Sequence, residues 1–106
     1  MSNQFASVSI IKKANVHYKG HSISHLIQLE DGTKKTHGVI LPTDKYLIFK
    51  THVAERIEII SGKCNVQIGD ELEVKNFVSG ESFNVPENSY FRIMADEVIA
   101  YICHLG

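Results

Sequence analysis

Glu55, in the run Glu55-Arg56-Ile57-Glu58-Ile59, is the residue of this chain best suited to chemistry. A carboxylate can hydrogen-bond substrate hydroxyls or move a proton, and burial raises its pKa toward the range where proton transfer is useful. Lys34 and Lys35 offer ammonium donors suited to an anion, and Arg56 and Arg92 are further cations. The plainer reading of the lysine pair is a solvated strand edge whose charge guards against aggregation. The histidines at 17, 21 and 25 suggest a metal site, since residues four apart share a helix face. Gly20 interrupts them and the local pattern is β, which favours scattered histidines, although His25 alternates with Ile23 and Ile27 and so can point inward.

Strand parity decides which of these groups can meet. Cys64, Val66 and Ile68 alternate with Lys63, Asn65 and Gln67, the period of a strand with one buried face. Glu55 shares parity with Ile57 and Ile59 and is expected to face inward; the plainer alternative is a rim carboxylate in solvent. Glu58 has the opposite parity and is expected to face water. A bulge near Val53-Ala54 would exchange the two. Ser61-Gly62, Gly69-Asp70 and Asp31-Gly32 carry hairpin turn chemistry. About ten short strands with frequent turns, and no long amphipathic helix, predict an all-β sandwich or barrel of antiparallel strands. Its expected core includes Ile57, Ile59, Cys64, Val66, Phe83, Val85 and Phe91.

The length of 106 residues fits one domain over 1–106, with 1–6 as a loose polar arm. A net charge of -1 gives no reason to expect nucleic acid or an anionic membrane as partner. No apolar run approaches the ~20 residues that span a bilayer, and no secretory signal opens the chain. Cys64 and Cys103 are then expected as reduced, buried thiols in cytoplasm. The many edge strands predict a homodimer that covers them.

Glu55 and Gly62 with six residues between, then Gly80 and Pro86 with five between, resemble the paired motifs of cupin barrels. Metal-binding cupins carry a His-x-His pair and a Glu in the first motif and a His in the second. Here Lys50-Thr51-His52 stands in place of the pair, and Phe91 stands at the second-motif position. About three protein ligands are needed for a catalytic metal, so the expectation is a cupin (jelly-roll) barrel without one. Longer motifs narrow the likeness. Asp31-Gly32-Thr33-Lys34-Lys35-Thr36 with Gly38-Val39-Ile40, Glu55-Arg56-Ile57-Glu58-Ile59, Phe83-Asn84-Val85-Pro86-Glu87-Asn88-Ser89-Tyr90-Phe91, and Tyr101-Ile102-Cys103-His104-Leu105-Gly106 follow in order. Together they resemble the small pyrimidine/purine nucleoside phosphorylases, over roughly 15–106. Ile40 and Ile57 stand where Met is typical, and His37 where Leu is typical.

That resemblance implies phosphorolysis: inorganic phosphate attacks C1 of a purine or pyrimidine nucleoside, yielding free base and ribose 1-phosphate. It implies no metal or organic cofactor, with phosphate as co-substrate. Glu55 is then the catalytic carboxylate, supporting an oxocarbenium-like transition state. Lys35 and Thr36 would bind phosphate, and Phe91 or Tyr46 would stack on the base. Glu58 and His104 belong to the same motifs as candidate substrate-binding residues, with no role for His104 or Tyr101 that the residues define. Tyr101 and Cys103 share a strand face, so either can simply pack inside. The competing readings are a non-catalytic small-molecule-binding cupin and a metal-dependent cupin oxygenase or isomerase.

Overall fold

The alternating segments become strands because alternate residues of an extended chain face opposite sides and only one side is apolar. A computed structural model describes residues 3–106, so Met1 and Ser2 of the expected arm lie outside the described residues. Eleven strands form: β1 (Ser9–Ile10), β2 (Asn15–His17), β3 (Ser22–Gln28), β4 (Lys34–Ile40), β5 (Leu47–Lys50), β6 (Glu55–Ser61), β7 (Lys63–Ile68), β8 (Lys75–Val78), β9 (Ser82–Val85), β10 (Tyr90–Met94) and β11 (Ile99–Leu105). A seven-stranded sheet runs β1-β3-β4-β11-β6-β9 with β2 also on β3, and a four-stranded sheet runs β5-β10-β7-β8. Every pairing is antiparallel. No helix among the described residues is long and apolar enough to cross a membrane.

The expected all-β antiparallel fold is present, but the two sheets do not hydrogen-bond into one closed barrel. Their inner faces share a core that holds the whole expected set, with Ile59 and Val66 at 0% exposure. Burying each such side chain stabilises the fold by about 1.5–3 kcal/mol. One turn differs from its expectation. Ser61-Gly62 does not close a hairpin, because β6 and β7 lie in different sheets. Gly62 instead swings the chain between sheets at φ +90, where an added Cβ would lie 2.6 Å from Val98 O. Asp31-Gly32 does close the β3–β4 hairpin, with the Asp31 carboxylate accepting from Thr33 N–H at 2.9 Å.

Side chains join the sheets where strands do not. The Tyr18 hydroxyl accepts from Ile48 N–H at 2.9 Å and donates to the Ile48 carbonyl. It thereby ties the turn after β2 to the outer edge of β5. Tyr18 and Lys19 reach this position at φ 53 and 56, a left-handed conformation that costs a non-glycine residue free energy. The buried Thr51 hydroxyl donates to Pro86 O at 2.6 Å and accepts from Ser89 N–H at 3.0 Å, fixing the turn before β10.

Gly38 on β4 lies directly opposite Tyr101 on β11. An added Cβ would sit 2.7 Å from Ile23 O, 2.7 Å from Ser24 Cβ and 2.9 Å from the Tyr101 hydroxyl. Gly38→Ala is therefore expected to destabilise the protein by roughly 1–3 kcal/mol, the usual cost of overpacking. A lower denaturant midpoint at unchanged m-value is the check.

Candidate functional site

Thr36, Cys103, Ile57 and Phe83 stand side by side across β4, β11, β6 and β9. Residues directly opposed in antiparallel strands share a face, so this row faces the other sheet. The adjacent row brings Leu105, Glu55 and Val85 together. The row on the other side holds Ser24, Gly38, Tyr101 and Ile59. Phe49 and Phe91, partners on β5 and β10, face these rows. They complete a cavity of about 210 Å3, with exposed Asn15, His17 and Lys50 at its opening. A wider depression of about 890 Å3, between Pro42 and Met94, lies on the outer side of the small sheet and shares no residue with this cavity.

Within the cavity the half-buried Glu55 accepts a hydrogen bond from the Cys103 thiol at 3.1 Å. Burial, then the neighbouring Glu55 carboxylate, pushes the Cys103 thiol up in pKa, because ionising it would place a second negative charge in a dry site. Burial likewise raises the Tyr101 phenol, although the Ser22 and Ser24 hydroxyls beside it act in the opposite direction. The aromatic wall is continuous. Phe49 stacks on Phe91 at 5.5 Å between ring centroids, and His17 and Tyr18 meet Phe49 edge-on at 5.7 and 5.8 Å.

Lys35, His104 and Glu58, each adjacent in sequence to a cavity-facing residue of β4, β11 or β6, face outward and form a second, separate group. The Lys35 ammonium donates to His104 Nδ1 at 2.6 Å. An ammonium can only donate, so Nδ1 accepts, and the proton on Nε2 is donated to Glu58 at 2.9 Å. Asn3, Gln4 and Phe5 flank this group on the outer face.

The structure thus divides the residues singled out from sequence. Glu55, Thr36 and Phe91 line the cavity, Phe91 almost fully buried at 6% exposure. Lys35, Glu58 and His104 do not, because Lys35 and Thr36 are consecutive on a strand and must face opposite ways. Tyr46 precedes β5 and lies outside the cavity lining; Phe49 lines it instead. Phe49 was legible in principle, since Leu47 and Phe49 share one parity, but exposed Ile48 between them disguises the alternation. His25 faces outward, opposite His37, rather than inward. His17 is at the cavity mouth, so the trio of 17, 21 and 25 is not gathered. Among the described residues no group of three or more His, Cys, Asp or Glu is placed to hold a metal ion. Arg56 stands beside His104 on the outer face, and Arg92 lies 5.0 Å over the Tyr90 ring.

A family model described as pyrimidine/purine nucleoside phosphorylase matches residues 12–105. Proteins of that name from Acinetobacter baumannii (strain ATCC 17978) and Dechloromonas aromatica (strain RCB) are 59% and 48% identical to this chain. Both matches cover 98% of this chain, and 96% and 99% of those relatives. A crystal structure of a protein of unknown function from Acinetobacter sp. ADP1 matches with a TM-score of 0.97 at 58% identity, covering 99% of this chain and 100% of that one. An RmlC-like cupin from Shewanella frigidimarina NCIMB 400 is 12% identical, with a TM-score of 0.69 over 98% of this chain and 90% of that one. That likeness bears on the fold alone, which is of cupin type.

Both cysteines are buried and unpaired, and burial pushes Cys64 up to about 11. In the native protein at pH 8 both thiols are expected to resist a disulfide reagent and to react fully in denaturant. Unfolded thiols ionise near ~8.5 while the folded ones stay protonated. Stability from this source is therefore complete below about pH 8.5 and falls as pH rises toward 11. Thiol titration and urea unfolding across that range test both statements.

Proposed function

The chain belongs to the pyrimidine/purine nucleoside phosphorylase family, and from that premise we propose that it cleaves purine and pyrimidine nucleosides with inorganic phosphate, giving free base and ribose 1-phosphate. The observation that carries this reading is one cavity holding a half-buried carboxylate, Glu55, and an aromatic wall, Phe49 on Phe91. A nucleoside presents that same pair of demands: hydroxyls on a ring that gains positive charge, and a flat apolar base.

Glu55 binds the sugar hydroxyls and favours the oxocarbenium-like charge at C1 as the bond to the base lengthens. The base lies against Phe49. A surface that recognises flatness and apolarity discriminates weakly between purines and pyrimidines, whereas a set of fixed hydrogen bonds would reject one class strongly. The cavity is smaller than the ~300–1,000 Å3 of typical ligand sites, so part of the reacting pair extends to the opening. Phosphate enters there, where Asn15, His17 and Lys50 stand, and meets the sugar beside Thr36. The protein acts in the cytoplasm as a homodimer, in which a second copy covers the apolar residues Ile10, Ile11 and Val16, 58%, 52% and 59% exposed in the single chain. Light scattering at micromolar concentration is expected to give twice the chain mass; a monomer would count against this.

Release of base from inosine and uridine that depends on phosphate is the primary test; release at the same rate without phosphate would overturn the reading. Glu55→Gln keeps size and removes charge, and is expected to lower kcat on the order of 10- to 100-fold, the worth of a charge-assisted hydrogen bond of ~1.5–3 kcal/mol. Glu58→Gln, on the outer face, is expected to stay within about threefold of the parent, as a half-exposed pair is worth only ~0–1 kcal/mol. Equal denaturation midpoints for the parent and both variants must accompany the comparison.

A further inference from the structure

Glu55 has two carboxylate oxygens, and one of them, Oε1, is taken by the Cys103 thiol. Cys103 is 5% exposed and is fixed by its place between Thr36 on β4 and Ile57 on β6. Glu55 sits near the start of β6, where the strand gives its side chain no other tether: Leu105 and Val85, directly opposite it, are both apolar. A flexible carboxylate held at one oxygen by a rigid donor presents the other oxygen in a defined direction.

We propose that Cys103 is a positioning residue, its thiol holding one oxygen of Glu55 so that the other is aimed into the cavity at the sugar. The proposal rests on the phosphorolysis reading above. A thiol suits this task for two reasons. It is a weak donor, so it orients the carboxylate without removing much of the negative charge that the transition state needs. It also stays protonated, since burial and Glu55 itself both oppose its ionisation, so the donor persists across the working pH range. Other titratable groups that face the cavity are Tyr101 on β11, His17 on β2 and Lys50 on β5. The opposing sheet presents Phe49, Phe91 and Ile93 there and no carboxylate.

The experiment compares Cys103→Ala, Cys103→Ser and the parent in full kinetics and in the position of the Glu55 carboxyl carbon resonance by carbon-detected NMR. Loss of a weak hydrogen bond to a charged acceptor, of order 0.5–1.5 kcal/mol, corresponds to roughly 3- to 10-fold. Cys103→Ala is therefore expected to lower kcat by about that factor with the KM for nucleoside changed less than about twofold. The Glu55 carboxyl resonance should shift as its donor is lost. Cys103→Ser, which restores a donor, is expected to recover most of kcat and to return the resonance toward its parent position. Unchanged kcat and an unchanged Glu55 resonance in Cys103→Ala would overturn the proposal. Equal losses in Ala and Ser variants would do the same, because that outcome marks a packing role. If the parent itself shows no phosphate-dependent base release, the functional reading fails, and the NMR comparison still decides whether the thiol holds Glu55.

Discussion

The register between β6 and β11 is the constraint on which the site depends. Cys103 is opposite Ile57 and Ile102 is opposite Glu58. Because successive side chains alternate faces, this single alignment sets Cys103 against Glu55 inside and His104 against Glu58 outside. A slip of one residue would carry both carboxylates to the wrong face. The one irregularity in this pairing falls between Ala100 and Tyr101, beyond both carboxylates. The pairing is therefore regular from Glu55 through Ile59.

Inside and outside differ in the company each carboxylate keeps. The inner face sets Glu55 between the apolar Leu105 and Val85, with the Cys103 thiol donating to it. The outer face surrounds Glu58 with partners, a histidine that is itself held by a lysine. This chain of hydrogen bonds links β4, β11 and β6 on the outer face. Two residues of one type, three positions apart, thus end on opposite faces through geometry alone.

The cavity is walled by two sheets that share a core without sharing hydrogen bonds at this edge. Tyr18 bridges the gap by bonding both the N–H and the carbonyl of Ile48, which meets two backbone demands with one hydroxyl. The left-handed backbone at Tyr18 and Lys19 is the conformational cost of that link. Its benefit is local: Phe49, next to Ile48, is held with His17 and Tyr18 at its edges and Phe91 on its face.

Alternation in the sequence pointed to most of the strands, the buried set from Ile57 to Phe91 and an inward Glu55 against an outward Glu58, since each depends only on period two within one strand. The motifs pointed to the family, and the family model and relatives agree. Tertiary structure decided what lies across the gap. It set Phe49 in the lining where Tyr46 was expected, and turned His25 outward. It also made Ser61-Gly62 a crossing between sheets and not a hairpin. It alone brought Cys103 to Glu55, 48 positions apart in the chain. Local periodicity reports which residues share a face; it carries no information on which other strand supplies the opposite wall, because strand pairing is a long-range contact that no short window of residues contains.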